Sequence, residues 1–164
     1  MPGAIHPPAS TRGSYSSPTE RSAIARATRA DKIKVLAGVP LFSGLSKKEL
    51  GQIARLVTET EIAPREFLAY EGEVGREALV ILAGRATVRR NGRKVAEITA
   101  GDVVGEMSLV TNLPRNASVR ADTFVSALVM NQHEFSELID AHPQVGVKIL
   151  KTVAARLAAA VPGH

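Results

Sequence analysis

The stretch that decides the fold lies at residues 105–121 and reads Gly-Glu-Met-Ser-Leu-Val-Thr-Asn-Leu-Pro-Arg-Asn-Ala-Ser-Val-Arg-Ala. A glycine and an acid open it, and small and apolar residues follow. A short polar turn then leads to Pro114-Arg115, and a strand-like alternation closes the stretch. Glycine and proline mark turns, whereas alternation marks a half-buried strand. This order predicts a short loop that runs directly into a β-strand.

The same residues resemble the phosphate-binding cassette of cyclic nucleotide-binding domains. Examples of that family are the cAMP-binding domains of catabolite activator proteins, protein kinase A regulatory subunits and cyclic-nucleotide-gated channels. The family pattern is roughly Gly-Glu-apolar-small-Leu, a few loop residues, then Arg, a small residue and Ala. Taken singly, Gly105, Glu106 and Arg115 would be a turn residue and two surface charges. Asn116 departs from the pattern, because the family usually has Ser, Thr or Ala there.

The resemblance implies a cAMP site formed by Gly105, Glu106, Met107, Ser108, Arg115, Asn116 and Ala117. The planar donor fork of Arg115 suits the cyclic phosphate. Backbone N–H groups of residues 107–109 and 116–117 would add partial positive charge. Glu106 cannot face a phosphate, so we expect it to accept from the ribose 2′-hydroxyl and to orient Arg115. We expect cAMP to bind ahead of cGMP, because Asn116 replaces the hydroxyl residue that favours guanine.

Length and composition bound the remaining function classes. A chain of 164 residues suits one domain with a hydrophobic core. It has no Cys, no apolar run of bilayer length and no apolar core of a secretory signal. These features predict a cytoplasmic protein without a membrane part. The Arg- and Ser-rich start leaves an organelle transit peptide as an alternative.

Positive charge concentrates at the N-terminal end. Of the formal net charge of +5, most belongs to residues 1–34, which hold six Lys or Arg against two acids. Residues 1–16 are rich in Pro, Ser, Ala and Gly, and we expect a disordered arm. Ser17-Pro18-Thr19-Glu20 predicts the start of a basic helix over residues 17–38, with an interruption near Asp31. Its basic face is either solvated or binds an acidic partner.

The domain proper is expected over residues 39–164. Ser46-Lys47-Lys48-Glu49 is a capping box for a helix. Asn91-Gly92 is a strong hairpin signal. Alternating segments predict short strands near 60–62, 66–70, 78–82, 86–90, 94–98, 102–104, 117–121 and 125–130. The fold class is therefore α+β: an eight-stranded antiparallel β jelly roll flanked by N-terminal and C-terminal helices.

Two helices are expected after the strands. Asn131 starts the first, and Pro143 breaks it and starts the second. The apolar stripe of the second is formed by Val145, Ile149, Leu150, Val153 and Leu157. In the family this helix is the lid over the base, and Arg156 occupies a position where some channels carry a base-contacting Arg. Otherwise Arg156 is an ordinary solvated charge.

These observations predict a stand-alone sensor rather than an enzyme. No nucleophile-base pair, metal-ligand spacing or Walker loop is present, so we expect no catalysis, no metal and no cofactor beyond the ligand. Binding would move the flanking helices and signal to an effector protein, and homodimerisation through the last helix stays open. Two alternatives remain. One is a ligand-free interaction scaffold, which Asn116 supports, and the other is nucleic-acid binding by the basic arm, which the lack of interleaved aromatic residues disfavours.

Overall fold

The computed structural model describes residues 26–160. The predicted arm over residues 1–16 and the predicted helix start at Ser17 lie outside the described residues. Within them the helices are α1 Arg29–Ala37, α2 Lys47–Ala54, α3 Gln132–Ala141 and α4 Pro143–Ala160. Two short 3-10 turns, Pro40–Phe42 and Glu106–Leu109, complete the helical elements of this part of the chain.

Eight strands form the body of the described chain. They are β1 Thr58–Ile62, β2 Phe67–Ala69, β3 Glu77–Ala83, β4 Ala86–Arg90, β5 Arg93–Ile98, β6 Val103–Val104, β7 Ser118–Ala121 and β8 Val125–Asn131. Every predicted strand is confirmed. They pair antiparallel into two four-stranded sheets, β1-β8-β3-β6 and β2-β7-β4-β5. The predicted jelly roll with flanking helices is therefore confirmed.

Strand β3 separates the two hydrophobic cores. Ala78 and Val80 pack with the helices, whereas Leu79 and Ile81 pack between the two sheets. Successive side chains of a strand point to opposite faces, so a strand buried on both faces must be apolar at every position. This explains the unbroken apolar run after Glu77. The first sheet is thus covered by helices on one face and by the second sheet on the other.

Local signals set the turns and most helix starts. Asn91 and Gly92 have φ angles of 53° and 80°, the left-handed geometry of a two-residue hairpin turn. Ser46 and Glu49 make the predicted capping box of α2. Asn131 caps α3, where its side chain accepts from the backbone amides of two following residues. Pro143 begins α4 as expected.

The predicted basic helix begins later than expected within the described residues. Residues 26–28 are not helical, and Thr28 has the extended backbone of an N-cap. Its side chain accepts from the Asp31 amide, and the Asp31 carboxylate accepts from the Thr28 amide. This reciprocal cap starts a new helix at Arg29. The prediction of helix across residues 26–28 is therefore wrong, and the expected interruption lies a few residues before Asp31.

Helix α4 is anchored to the helical core mainly by one face of its first three turns. Val145 and Ile149 are buried in that core, Val153 packs against it, and Lys148 donates to Glu49 of α2 at 2.8 Å. Leu150 and Leu157 face away from this core and are each 66% exposed. The predicted apolar stripe exists on the helix, but only part of it is buried.

Candidate functional site

The stretch at residues 105–121 forms one wall of a cavity. The cavity measures about 450 Å³ and lies between the second sheet and the 3-10 turn Glu106–Leu109. Its lining includes Val88, Val104, Gly105, Ser108, Arg115 and Ala117. Apolar strand residues thus form the floor, and the cassette supplies the polar side. All seven cassette residues expected from the sequence line this cavity.

Arg115 is packed between two glycines. Its side chain is only 9% exposed. A Cβ atom at Gly75 or at Gly105 would overlap its guanidinium group. Gly105 also has φ +74°, a left-handed conformation that L side chains rarely adopt. Both positions therefore have to be glycine for Arg115 to lie where it does.

Only part of the hydrogen-bond donor capacity of the Arg115 guanidinium is used. Nη2 donates to the Glu77 carbonyl oxygen at 2.9 Å. Nε and Nη1 are buried, and neither has a hydrogen-bond partner among residues 26–160. Burial lowers the pKa of this group, and the negative charge of Glu77 opposes that shift. Because arginine stays protonated in proteins, the cavity wall holds a buried cation with two unused N–H directions.

The backbone of Arg115 is fixed by the turn between β2 and β3. Its amide donates to the Glu73 carbonyl and its carbonyl accepts from Gly72, both at 2.8 Å. In the fold this turn holds the cassette at the point where the cation is presented.

Glu106 makes contacts other than those expected. Its Oε2 accepts from the Leu41 amide at 2.6 Å, and its Oε1 lies 3.7 Å from Nη1 of Arg156. The expectation that Glu106 orients Arg115 is wrong, because the Glu77 carbonyl has that role. The Glu106 carboxylate instead joins the cassette to the N-terminal 3-10 turn and to α4. Arg156, which the resemblance placed in the lid, does reach the cassette.

Not every expected backbone donor is available. The Ser108 amide donates to the Gly105 carbonyl at 2.9 Å inside the 3-10 turn, so it cannot also serve an anion in this state. The amides of Glu106 and Met107 stand before the first internal bond of the turn, where N–H groups lack an internal partner. The predicted set of amides that could bind an anion therefore loses the Ser108 amide.

Gln132 also holds the cassette and was not anticipated. Its Nε2 lies 2.9 Å from the Ser108 carbonyl, 3.1 Å from the Thr111 carbonyl and 3.1 Å from Oδ1 of Asn112. A primary amide has two hydrogens, so three acceptors share two donors. Gln132 is the first residue of α3, and its own amide donates to the Arg76 carbonyl. The cassette is thus fastened to the start of α3.

Asn116 lies at the mouth of the cavity. Its side chain is exposed, and its carbonyl accepts from Nε of Arg90 at 3.0 Å. The longer side chain at this position therefore has room in solvent. The neighbouring Ala117 is buried against the cavity floor.

A second, larger cavity of about 560 Å³ lies along β1, β3 and β8. The charged residues that line it are Glu77 and Glu134, so it would repel an anion. Among residues 26–160 no group of His, Asp and Glu is placed to hold a metal ion. None of the helices in this part of the chain is long and apolar enough to cross a membrane.

Comparison with known proteins gives one consistent family. The family described as cyclic nucleotide-binding domain matches residues 59–142. A cyclic nucleotide-gated potassium channel of Rhizobium etli is 34% identical over 123 residues, which cover 75% of this chain and 34% of the channel. The chain thus spans about a third of that relative.

Solved structures agree with the sequence relatives. The N-terminal domain of a transcriptional regulator from Streptomyces coelicolor superposes with a TM-score of 0.72 at 27% identity, over 79% of this chain and 96% of that one. A mutant regulatory subunit of a cAMP-independent protein kinase A from Trypanosoma brucei, solved with cAMP bound in its A site, gives 0.62 at 27% identity, over 82% and 48%. This chain belongs to the cyclic nucleotide-binding domain family.

Proposed function

We propose that this chain is a sensor whose ligand is cAMP, bound in the cavity beside the cassette. The observation that carries the proposal is Arg115, a buried cation with two N–H directions that meet no acceptor. Buried charges are normally paired, because an isolated one is costly. A ligand with a single negative charge and two free phosphate oxygens supplies the missing partners. The mutant regulatory subunit solved with cAMP, although its kinase is described as cAMP-independent, supports a fold that can hold this ligand.

Capture begins at the phosphate. The cyclic phosphate would accept from Nε and Nη1 of Arg115, while Nη2 stays on the Glu77 carbonyl. Charge-assisted hydrogen bonds of this kind are about twice as strong as neutral ones, and their strength rises where water is excluded. The glycines at 75 and 105 keep the guanidinium pressed into the wall, so little side-chain entropy remains to be lost on binding.

Glu106 would carry the signal outward. To accept from the ribose 2′-hydroxyl, its carboxylate can use Oε1, whose neighbour Arg156 lies at the long distance of 3.7 Å. Oε2 would keep the Leu41 amide. The ligand would then compete with Arg156 for one oxygen and would bias α4 through it. Such a shift can be no larger than the difference in ligand affinity between the two positions of α4.

Selectivity for cAMP over cGMP rests on Asn116. A Thr or Ser there would offer a hydroxyl to the guanine amino group. The Asn116 side chain is exposed, so a guanine contact would have to order it out of solvent. That ordering cost, of about 0.5–1.5 kcal/mol for a flexible side chain, offsets one added hydrogen bond.

The output is a partner protein, reached through the elements that Glu106 joins. The exposed face of α4, with Leu150 and Leu157, offers apolar surface to an effector or to a second copy of the chain. One observation favours the alternative of a ligand-free scaffold: the Glu106 carboxylate already has a short bond to Leu41. In a ligand-free scaffold, the contacts of Glu106 with Leu41 and Arg156 would hold the cassette and α4 in one fixed arrangement.

Isothermal calorimetry with cAMP, cGMP and non-cyclic AMP tests the proposal. We expect cAMP to bind more tightly than cGMP. Non-cyclic AMP should bind weakly, because its dianionic phosphate is larger and less constrained. Thermal denaturation with each nucleotide provides an independent readout, since a ligand that binds only the folded state raises the melting temperature. If none of the three nucleotides binds or stabilises the chain, the sensor proposal fails and the scaffold is favoured.

A further inference from the structure

Charge in the body of the domain is sorted between the two sheets. The strands of the first sheet carry three acids and no Lys or Arg, as β1 and β3 show. The strands of the second sheet carry five cations against the single acid Glu97. The sequence prediction placed the basic character in the N-terminal arm, because the remaining residues sum to nearly zero. In the structure, the nearly balanced charges of these residues lie on different sheets: the strands of the first sheet are acidic and those of the second are basic.

Four of the five cations lie at the tip of the β4–β5 hairpin. The strand register sets Arg89 directly opposite Lys94 and Arg90 directly opposite Arg93. Like charges directly opposite each other destabilise an antiparallel pair. Successive residues point to opposite faces, so each face of the hairpin presents one such pair. Lys94 donates to Glu97 of the same strand at 2.6 Å, which offsets the repulsion in its pair. The Arg90–Arg93 pair breaks the local rule, which is typical of a functional surface rather than of a folding requirement.

The hairpin also has a free edge. In the sheet order β2-β7-β4-β5, strand β5 is the last, and no described strand pairs with its outer side. Residues 93–97 are all exposed, and Val95 is 49% exposed. An edge strand presents N–H and C=O groups that an extended peptide can pair with. The cations of β5 discourage pairing between copies of the chain, whereas an acidic strand would turn that repulsion into attraction.

Hydrogen bonds tie the hairpin tip to the ligand cavity. Nε of Arg90 donates to the Asn116 carbonyl at 3.0 Å, and the Asn91 amide donates to Oε1 of Glu71 at 3.0 Å. Asn116 follows Arg115 directly and lines the cavity mouth. A molecule that docks on the tip therefore contacts residues bonded to the cassette.

We propose that the outer edge of β5 and the cationic tip dock an extended acidic segment of a partner protein. Such a segment would add a fifth strand to the second sheet. Its carboxylates would meet Arg93 on one face and share Lys94 with Glu97 on the other, and an apolar side chain would cover Val95. A nucleic acid has phosphates for the cations but nothing to pair with the edge amides or the apolar side chain. The surface extends the output of the proposed sensor but does not depend on cAMP binding.

Fluorescence anisotropy of a labelled peptide tests the surface. The probe alternates Glu-Glu and Val, and the protein is the full chain. We expect binding that weakens with salt but remains measurable at physiological ionic strength. The test variant is Arg93→Glu, which puts an acid opposite Arg90. The matched control is Arg55→Glu, which changes the net charge equally at the exposed C-cap residue that follows α2, away from the hairpin.

Arg93→Glu should weaken peptide binding by about tenfold or more, because it replaces an attraction with a repulsion. It should not lower the melting temperature, since it turns a like-charge cross-strand pair into an opposite-charge pair. Arg55→Glu should leave peptide binding within about twofold of wild type, because it lies away from the edge. Calorimetry with cAMP on the same samples separates this result from the fate of the ligand site.

Several results would overturn the proposal. If both variants lose the peptide equally, net charge rather than the hairpin is responsible. If wild type does not bind the peptide, the edge is not a docking site for acidic strands. If a DNA duplex or a vesicle of anionic lipid binds in a manner sensitive to Arg93→Glu while the peptide does not, the tip recognises phosphate instead.

Discussion

Replacing Arg115 by Met separates ligand binding from folding. Met keeps much of the length of the side chain and removes the charge and every donor. In the cavity wall its Sδ would lie near the present Cδ of Arg115 and its terminal methyl near the present Nε, so the outer guanidinium atoms beside the two glycines have no replacement. The substitution therefore removes the proposed phosphate anchor while keeping the apolar stem of the side chain in the wall.

The effect on binding follows from the two unused donors. Nε and Nη1 would each make a charge-assisted hydrogen bond, worth roughly 1.5–3 kcal/mol apiece. Their sum is about 3–6 kcal/mol, so Arg115→Met should weaken cAMP binding by at least about a hundredfold. The effect on the ligand-free fold runs the other way. The variant loses one bond to the Glu77 carbonyl, about 1.5–3 kcal/mol, and relieves two unsatisfied buried donors at about 1–3 kcal/mol each.

The expected change in the free energy of unfolding without ligand therefore lies between a loss of about 1 and a gain of about 4 kcal/mol. Calorimetry gives the affinity and urea denaturation gives the stability. The control is Arg55→Met, at the exposed C-cap arginine that follows α2, which should alter neither quantity by much. Binding of cAMP by Arg115→Met within about threefold of wild type would refute the anchor. A stability loss well beyond about 1 kcal/mol would show that Arg115 is held for folding instead.

The remaining predictions concern the supports of the cassette. Gly75→Ala should weaken cAMP binding with little change in strand content by circular dichroism, because its Cβ would displace the Arg115 guanidinium; unchanged affinity would show that the wall can yield. Gln132→Glu places a carboxylate beside three acceptor oxygens, so the affinity for cAMP should fall at neutral pH. The affinity should recover in acid, where the carboxyl group is protonated and can donate again. An affinity for cAMP that does not change with pH would indicate a purely steric role. Glu106→Gln should discriminate less between cAMP and 2′-deoxy-cAMP than wild type does, and equal binding of both by wild type would remove its ribose role. The pKa of Glu49 is lowered, chiefly by its bond to Lys148 of α4. Its contribution to stability is therefore complete above the ordinary pKa of 4.5 and is lost as the pH falls through the lowered pKa. Glu49→Gln should reduce this loss of stability in acid, measured by denaturation at a series of pH values; an unchanged dependence of stability on pH would mean that the pair does not anchor α4.

Features written in neighbouring residues could be predicted from the sequence. The capping box at Ser46, the hairpin turn at Asn91-Gly92 and the break at Pro143 each depend on a few adjacent side chains. The strands followed because alternation and short apolar runs report burial directly. The cassette residues could be singled out because the whole pattern, rather than any one residue, resembles the family, whereas the burial of Arg115 was not predicted.

Features that depend on distant parts of the chain could not be predicted. The Leu41 amide bonds to Glu106, 65 residues away, and nothing in either local pattern indicates the pair. Gln132 reads as an ordinary first residue of a helix until the fold brings the cassette beside it. Gly75 lacks a positive φ, so its role is visible only from the guanidinium that it accommodates. The helix start at Arg29 depends on neighbouring residues alone, but the capping signal at Ser17 predicts a helix start further upstream.

The described contacts tie the energetics of the cassette to both ends of the domain. Without ligand, Arg115 is a buried cation that lacks two partners, a state that costs free energy and that packing on all sides maintains. A ligand that accepts from those donors is therefore favoured, because the hydrogen bonds it forms also remove the free-energy penalty of the unpaired donors. The cassette that receives it is bonded to the N-terminal turn through Leu41 and to α3 through Gln132, so a stiffer cassette restrains both. Any gain in ligand affinity that changes those two bonds must, by thermodynamic linkage, appear as an equal change in the preference of the flanking helices. Thermal stabilisation by cAMP should accordingly shrink in Gln132→Glu even at concentrations that saturate the site, because stabilisation grows with the ratio of ligand concentration to Kd and the variant raises Kd.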